Sequence, residues 1–423
     1  MVVYYDVIQN FHEQQNAYRC PAPNRCQKNE NIGVGQTWIS TNPKQSFVLV
    51  RMRIMQSVFD LQLKRYSDVV QDYIMSHRPS LVRNVDMKES VVHYSTLGGK
   101  KLRPFAVLTS CGAVGGNPDQ ALPLAAGVEM FHTWTLVHDD IIDRDPRRRW
   151  GDSVHARWTK VAISNYGYEK GEAEHYGLDV GILAGDLQHG WAVGGLIPQL
   201  LYETKVESKI VVRLINELYV TLQYLVNGEI DDVYYSKLPI SEMTSDKIKD
   251  MLWEKTGSLY RYCGLAGAMV GRNTDDLNDA YVTAVAEFAA QCGLAFQVQD
   301  DILGITGKEE QLGKSTGSDL REGKRTLLIL WAYNHTSSDE KKVIEKVLGN
   351  PKAAGEDVEA AVDVIRKVGG IDYAADMARK YIEGGSIEGK EIRGARKYLE
   401  QLDDSEYKGL LTSWADYLIT RRF

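Results

Sequence analysis

Apolar residues recur at three- and four-residue steps along most of this chain, beginning near Val58. This spacing places them on one face of a helix, so each stretch predicts an amphipathic α-helix with a buried stripe. Alternation with a period of two is rare after residue 57, and we therefore predict one all-α domain over residues 57–423. The clearest stripes are Phe59, Leu63, Tyr66, Val70 and Ile74; Val211, Leu214, Leu218, Leu222 and Leu225; and Ala284, Val285, Phe288, Ala289 and Cys292.

Two segments depart from this helical pattern. Residues 1–56 lack a sustained period, so we predict an N-terminal extension that is poorly ordered or accessory, with one β-prone run from Ser46 to Ile54. Residues 163–179 are polar and contain three glycines, which predicts an insertion or a long surface loop. We therefore expect the chemistry in the periodic part of the chain and none of it in residues 1–56.

The composition excludes several classes of protein. Lys and Arg total 50 against 57 Asp and Glu, so nothing favours non-specific binding of nucleic acid. No apolar run reaches the ~18 residues of a membrane span, and the first residues lack the basic start and apolar core of a signal peptide. Five scattered cysteines argue against a full disulfide framework. We therefore predict a cytoplasmic protein without a membrane span.

Two clusters of aspartates each follow an apolar helical stretch. Asp139 and Asp143 lie one turn apart on one face of the first predicted helix, with Asp140 between them. Carboxylates held this close repel one another, and oxygen ligands suit Mg²⁺, which takes its remaining ligands from a phosphate substrate. Asp300 and Asp301 repeat the arrangement. The pair predicts two facing metal-binding walls of one cavity; the alternative for either cluster is a solvated acidic helix end.

Basic residues form patterns that suit a phosphate ligand. In Gly98–Pro104 the glycines let the backbone approach an anion, and Lys100 and Arg103 supply charged donors for phosphate oxygens. Four further arginines, Arg144 and Arg147–Arg149, follow the first acidic cluster. A basic surface turn would produce the same local pattern, so each basic motif alone decides little.

In their order along the chain, these motifs resemble those of the trans-isoprenyl diphosphate synthases, the polyprenyl synthetase family, and in particular short-chain synthases that make geranylgeranyl or farnesyl diphosphate. The resemblance extends from about residue 57 to at least Trp331 and implies a helical bundle around a central cavity. It also implies a homodimeric prenyltransferase that joins an allylic diphosphate to isopentenyl diphosphate head to tail and releases pyrophosphate. About three Mg²⁺ ions would neutralise that leaving group.

The same resemblance assigns roles to single residues. It gives the metal to Asp139, Asp143 and Asp300, and it adds Asp140, Asp301 and Lys255 to the catalytic set. Isopentenyl diphosphate would be held by Lys100, Arg103, His132 and Arg149, and the allylic diphosphate by Arg148, Lys255 and Thr256. Gln297 and two diphosphate-binding lysines, Lys314 and Lys324, complete the substrate-binding set.

Three residues depart from the family pattern. Glu229 stands where members usually have Gln, and Trp150 stands where Gly follows the arginine pair. Gly304 occupies the place of a third carboxylate in the second acidic motif, as it does in archaeal-type members. These changes leave the motif order intact and weaken the expectation of a third metal ligand on the second wall.

Product length is expected to depend on the helix before the first acidic cluster. Trp134 and Phe131 precede Asp139 by five and eight residues, roughly 7 to 8 Å and roughly 12 Å along a helix. The family uses a bulky residue at the first position to stop at short chains, so we predict a floor there, with Trp134 as a packed core aromatic as the alternative.

Two other functions stay open at the level of sequence. A class I terpene cyclase shares the fold and an aspartate-rich motif, but it has no need of the Gly-Gly-Lys-x-x-Arg motif at Gly98–Arg103. A non-catalytic subunit of a two-component synthase would be expected to lose aspartates or lysines that are present here.

Overall fold

The computed structural model describes residues 43–307 and 317–420, with side chains from Ser57 onward. Helices dominate, which confirms the all-α prediction, and the described residues from Met52 onward belong to one compact unit. Within these ranges two short antiparallel hairpins interrupt the helices, β1 (Arg147–Arg148) with β2 (Gly151–Asp152) and β3 (Gly385–Ile387) with β4 (Lys390–Ile392).

The described helices follow one another with short connections. The α-helices are α1 (Pro43–Ser76), α2 (Val85–Ser90), α3 (His93–Thr96), α4 (Leu102–Ala113), α5 (Leu122–Ile142), α6 (Val154–Tyr166), α7 (Lys170–Gly190), α8 (Leu200–Glu203), α9 (Ser208–Tyr235), α10 (Ser245–Leu252), α11 (Ser258–Arg272), α12 (Ala280–Thr306), α13 (Ser318–Glu322), α14 (Leu327–Asn334), α15 (Ser338–Val347), α16 (Gly355–Lys367), α17 (Gly370–Glu383), α18 (Ala395–Leu399) and α19 (Glu406–Thr420). Short 3₁₀ turns span Pro118–Ala121, Ile197–Gln199 and Ile240–Glu242, and π-helical turns span Trp191–Leu196 and Trp253–Gly257.

The centre of the bundle is α11, which packs between α4 and α12. Glycines make this possible: a Cβ on Gly267 would lie 2.2 Å from the carbonyl oxygen of Val107, and one on Gly264 would lie 2.5 Å from that of Val285. The core around these helices is apolar, and the predicted stripe of α1 faces it. Each large side chain buried there contributes about 1.5–3 kcal/mol.

The loop predicted for residues 163–179 is wrong, because this segment forms the end of α6 and the first half of α7. Its two helices contact each other through small and hydroxyl side chains and not through an aliphatic stripe. The sequence therefore lacks the apolar period by which a helix is predicted. A Cβ on Gly177 would lie 2.3 Å from Thr159 Oγ1. The hydroxyls of Tyr166 and Tyr176 both donate to Asp86, at 2.7 and 2.6 Å.

The β-prone run from Ser46 to Ile54 is also helical, as part of α1. Strand propensity is weak without a partner strand, and the sequence after this run is periodic from Val58. Residues 1–42 and Lys314 lie outside the described residues. The boundary at residue 57 and the accessory role of residues 1–56 remain predictions.

Candidate active site

The first acidic motif ends α5, and a lysine from a neighbouring turn lies against it. Lys255 is carried by the π-helical turn Trp253–Gly257, which packs closely on α9: a Cβ on Gly228 would lie 2.3 Å from the backbone nitrogen of Lys255. The Lys255 Nζ therefore lies 2.5 Å from Asp232 Oδ2, 2.9 Å from Glu229 Oε2 and 3.6 Å from Asp139 Oδ1.

This cluster changes the protonation of its members. Burial lowers the pKa of Lys255, but the carboxylates of Asp232 and Asp139 outweigh it and keep the pKa above its ordinary range. Burial also raises the pKa of Glu229 to about 7, opposed by Lys255 and reinforced by Asp139. The site thus holds more acidic groups than its lysine alone neutralises, so added positive charge is favoured there.

Asp140 points away from this cluster into the protein. It is fully buried, and it accepts hydrogen bonds from the Tyr94 hydroxyl and from the guanidinium of Arg148, whose Nε lies 3.0 Å from Oδ1. The same guanidinium reaches Asp139 Oδ2 at 3.5 Å. Asp140 therefore fixes Arg148 beside the first motif.

Lys324 connects the first motif to the part of the chain after the second. Its Nζ lies 3.4 Å from Asp143 Oδ2 and 3.3 Å from Glu322 Oε2. Burial raises the pKa of Asp143; Lys324 opposes this rise and Asp139 adds to it. Two cationic side chains, Lys255 and Lys324, thus face the aspartates of α5.

Two hydrogen bonds link the second acidic motif to Thr256, the neighbour of the lysine that faces the first motif. Thr256 Oγ1 donates to Gln297 Oε1 at 2.9 Å, and Gln297 Nε2 donates to Asp301 Oδ1 at 3.0 Å. Since Thr256 follows Lys255, the structure brings both motifs to one site. Burial raises the pKa of Asp301 well above its ordinary range, and the nearby carboxylates of Asp319 and Asp300 raise it further.

The Gly-Gly-Lys-x-x-Arg motif lies beside the middle of α5. Arg103 Nη1 is 2.9 Å from His132 Nε2 and its guanidinium lies over the Tyr260 ring, 4.5 Å from the centroid. Burial and the Arg103 charge hold the pKa of His132 well below its usual value, so the imidazole is neutral. Lys100 donates to the Tyr417 hydroxyl of α19 at 2.5 Å.

The second glycine of that motif makes room for an arginine. Gly99 has a φ of +129°, and a Cβ there would lie 2.6 Å from the Arg149 guanidinium, which bonds the Gly98 carbonyl. Arg149 and Trp150 both have positive φ, as the two-residue turn between β1 and β2 requires. These glycines were expected to let the backbone approach an anion. In the structure the group that lies closest to Gly99 is the Arg149 guanidinium.

Of the two residues predicted to limit product length, Trp134 lines a cavity of about 430 Å³ and Phe131 does not. Trp134 lies edge-on to Phe131 and to His189, with ring centroids 5.1 and 4.8 Å apart, and its Nε1 donates to His138 Nδ1 at 3.1 Å. Phe131 is fully buried behind it. The lining residues are Trp134, His138, Asp186, His189, Leu222 and Val226.

In the described part of the chain, no three His, Cys, Asp or Glu side chains are grouped closely enough to hold a metal ion by themselves. The donor set nevertheless fits Mg²⁺, because it consists of carboxylates whose pKa values are raised by burial and mutual repulsion. A diphosphate would complete the ligands of such an ion.

Besides Asp319, which lies near the second motif, four residues of the site were given no role by sequence reasoning. Asp232 lies three residues after Glu229 on one face of α9, so its helical spacing was a usable signal. Tyr94, Glu322 and Tyr417 reach Asp140, Lys324 and Lys100 across long separations in sequence, and no local pattern marks them.

Known proteins resemble this chain over most of its length. The family model for polyprenyl synthetases matches residues 85–365. The geranylgeranyl diphosphate synthase of Sulfolobus acidocaldarius is 33% identical over 331 residues, which cover 78% of this chain and 90% of that protein.

Solved structures agree. The geranylgeranyl pyrophosphate synthetase from Pyrococcus horikoshii has 29% identity and a TM-score of 0.71, covering 86% of this chain and 99% of that one. A polyprenyl synthase from Caulobacter crescentus, complexed with calcium and isoprenyl diphosphate, has 25% identity and a TM-score of 0.68, covering 88% of this chain and 98% of that one. A search of the described helices finds none long and apolar enough to cross a membrane. The resemblance stated from the motifs is confirmed: this chain belongs to the polyprenyl synthetase family.

Proposed function

We propose that this protein condenses an allylic diphosphate with isopentenyl diphosphate, head to tail, and that its product is geranylgeranyl diphosphate. The observation that carries the proposal is the meeting of two aspartate motifs at Lys255 and Lys324 in one site. Such a site suits a multiply charged leaving group, because it offers carboxylates for metal ions and ammonium groups for phosphate oxygens.

Asp139, Asp143 and Asp300 are the proposed ligands of about three Mg²⁺ ions shared with the diphosphate. Bound magnesium supplies the positive charge that stabilises the departing pyrophosphate. The calcium in the Caulobacter crescentus structure supports a divalent cation in this fold. Lys255, Lys324 and Arg148 lie within reach of these aspartates and would hold the same diphosphate, aided by Thr256 and Gln297. Lys314 is proposed for this group from sequence alone.

Lys100, Arg103 and Arg149 would bind isopentenyl diphosphate, with His132 as a neutral partner of Arg103. In the reaction the allylic carbon–oxygen bond breaks and pyrophosphate leaves, the alkene of isopentenyl diphosphate attacks the allylic carbon, and the released pyrophosphate takes up the proton lost from the condensed chain. No nucleophile from the protein is needed. The chain contributes position, because two substrates held in register react as one unit.

The assay uses purified protein with labelled isopentenyl diphosphate and, in turn, dimethylallyl, geranyl or farnesyl diphosphate in the presence of Mg²⁺. Chain-elongated product supports the proposal. A cyclised hydrocarbon would indicate a terpene cyclase, and no turnover without an added partner chain would indicate a non-catalytic subunit. Full activity in EDTA would contradict the metal assignment.

A floor at Trp134 supports the short product, because its ring stands between Phe131 and His189 at the wall of the cavity. The names of the Sulfolobus and Pyrococcus relatives favour geranylgeranyl over farnesyl diphosphate. Trp134→Ala should lengthen the product by at least one isoprene unit, about 4 to 5 Å of chain. Leu201→Ala, at an exposed position of α8, is the control. An active Trp134→Ala variant with an unchanged product distribution would exclude Trp134 as the floor.

We further propose a homodimer formed through α7 and α9. These two helices expose large apolar side chains, which a monomer rarely leaves in contiguous patches. Light scattering at micromolar concentration should give the dimer mass, and a monomer mass would contradict it. The exposed residues are Ile182, Leu183, Val212, Tyr219, Val226 and Ile230.

A cytoplasmic location is also proposed, since Cys111, Cys263 and Cys292 are free and buried.

A further inference from the structure

Gly304 stands where a third carboxylate of the second acidic motif is often found, and the space its side chain would fill already contains a carboxylate. A Cβ built on Gly304 would lie 2.1 Å from Asp319 Oδ2, 2.5 Å from Asp319 Cγ and 2.8 Å from Asp319 Oδ1. Gly304 is an ordinary helical residue of α12, without a positive φ. Its lack of a side chain is therefore explained by this contact and by no demand of the backbone.

The carboxylate that occupies this space belongs to the second acidic wall. Gly304 follows Asp300 by four residues, one turn of α12, so the Asp319 carboxylate at its Cβ position lies on the same face of the helix as that aspartate. Asp319 is half-buried and begins on a different helix, α13, fifteen residues after Gly304 in the chain. The geometry thus gives α12 a third carboxylate that its own sequence lacks.

The backbone of α13 holds Asp319 in a fixed relation to the first wall. The helix ends in a left-handed Gly323 with a φ of +81°, where the Lys324 N–H donates to the Asp319 carbonyl at 2.9 Å and the Gly323 N–H donates to the Leu320 carbonyl at 3.1 Å. The fully buried Leu320 anchors this turn, and its carbonyl also accepts the Gly349 N–H at 2.8 Å. Through Lys324, which reaches Asp143, one short turn serves both acidic walls.

We infer that Asp319 is the third carboxylate of the second metal-binding wall and acts toward the divalent cation held there with the diphosphate. The inference rests on the proposed function and adds one residue to it. The Asp319 carboxylate lies in the space that a side chain at position 304 would occupy. Removing the Asp319 carboxylate should weaken metal binding, and placing a carboxylate at position 304 should restore that binding.

The experiment measures the Mg²⁺ concentration needed for half-maximal binding of inorganic pyrophosphate by calorimetry, with thermal melting in the absence of metal as a check of folding. Asp319→Ala should raise that concentration roughly tenfold, a typical loss when a metal-supporting group is removed. Gly304→Ala, which pushes the Asp319 carboxylate aside, should move it in the same direction. The double variant Gly304→Asp with Asp319→Ala should return to within about threefold of the unmodified protein. Asp363→Asn, an exposed partner of Arg366 on α16, is the control and should leave the concentration unchanged.

An unchanged Mg²⁺ requirement in Asp319→Ala would overturn the inference, and so would a double variant that binds as weakly as Asp319→Ala alone. Asp319→Asn keeps the shape of the side chain, and it decides the matter should the alanine variant fail to fold. If the unmodified protein bound pyrophosphate without any need of Mg²⁺, the proposed function itself would fail. A normal Mg²⁺ requirement in both the unmodified protein and Asp319→Asn would remove the role of Asp319 alone.

Discussion

The second aspartate of each acidic motif is buried, yet Asp140 and Asp301 have opposite surroundings. Asp140 is bonded by the guanidinium of Arg148 and by a tyrosine hydroxyl. Asp301 accepts from the neutral amide of Gln297 and lies near two other carboxylates. The second aspartate of the Asp-Asp pair therefore forms a structural ion pair in the first motif, and in the second motif it adds to a group of negative charges. Repetition of a motif does not imply repetition of its role.

The largest effect is expected where both kinds of surroundings meet, at Asp139. It lies near Arg148 and Lys255 and faces the proposed metal site. Asp139→Asn should lower kcat by roughly 10²–10³-fold, because charge on the leaving group loses a preorganised partner. Steady-state kinetics at saturating Mg²⁺ measure this. Asp68→Asn, an exposed partner of Lys64, is the control. A variant within threefold of the control would remove Asp139 from the metal site.

The comparison itself is tested by stability. Asp140→Asn should destabilise the protein by about 3 kcal/mol, since it leaves the partly buried Arg148 without its partner charge. Asp301→Asn should behave differently. Burial raises the pKa of both carboxyls, but the Arg148 guanidinium opposes the rise for Asp140, whereas the carboxylates of Asp319 and Asp300 add to it for Asp301. The stabilising contribution of Asp301 is therefore complete below about pH 4 and is lost as the pH rises through its folded pKa. The asparagine variant should then be more stable than the unmodified protein at pH 8 and not at low pH.

Urea unfolding at the two pH values measures both variants of this pair. Equal losses of stability in Asp140→Asn and Asp301→Asn at pH 8 would show that the two motifs are held in the same way and would end the comparison.

Between the two walls, Glu229 offers a smaller pH effect. Its pKa is raised to about 7, chiefly by burial, so the protein loses stability as the pH rises from its ordinary value of 4.5 through 7. Glu229→Gln should abolish this loss and raise the free energy of unfolding at pH 8 by about 2 kcal/mol, a figure reduced for the partial exposure of the side chain. Glu217→Gln is the control, because Glu217 lies on the same helix and pairs with Arg213. A Glu229→Gln protein with the pH dependence of the control would refute this account.

The smallest effect concerns the turns that follow the two motifs. After the second motif the left-handed positions Gly317 and Gly323 are glycines, whereas those after the first carry side chains, among them Trp150, with a φ of +68° and an exposed indole. A left-handed residue with a Cβ costs roughly 1–2 kcal/mol. Trp150→Gly should therefore raise the free energy of unfolding by about 1 kcal/mol. A lower melting temperature in this variant would show that the indole makes contacts that outweigh the strain.

The helical class and the position of the acidic motifs could be predicted because each depends on local spacing. The apolar period marks α5 and α12, and the aspartates fall at their ends. The segment from residue 163 to 179 was misjudged, since glycines there serve close helix packing and resemble loop glycines in sequence. The opposite surroundings of Asp140 and Asp301 could not be predicted, because their partners come from distant parts of the chain. The role of Asp319 could not be predicted for the same reason. A glycine at position 304 does not indicate which distant residue packs against it.

Three glycines on α7 determine which side of the cavity beside Trp134, the proposed product cavity, can change during evolution. A Cβ on Gly177, Gly181 or Gly185 would lie 2.3 Å from Thr159 Oγ1, 2.8 Å from Ile141 Cδ1 and 2.2 Å from His138 Nε2, respectively. Substitution along this row would disturb the ends of α5 and α6 beside the first motif. Leu222 of α9 is partly buried and lines the cavity under no such constraint, whereas Val226, which also lines it, belongs to the proposed dimer interface. Lineages that shift to longer or shorter products are expected to accumulate their changes on α9, while the glycine row of α7 stays fixed.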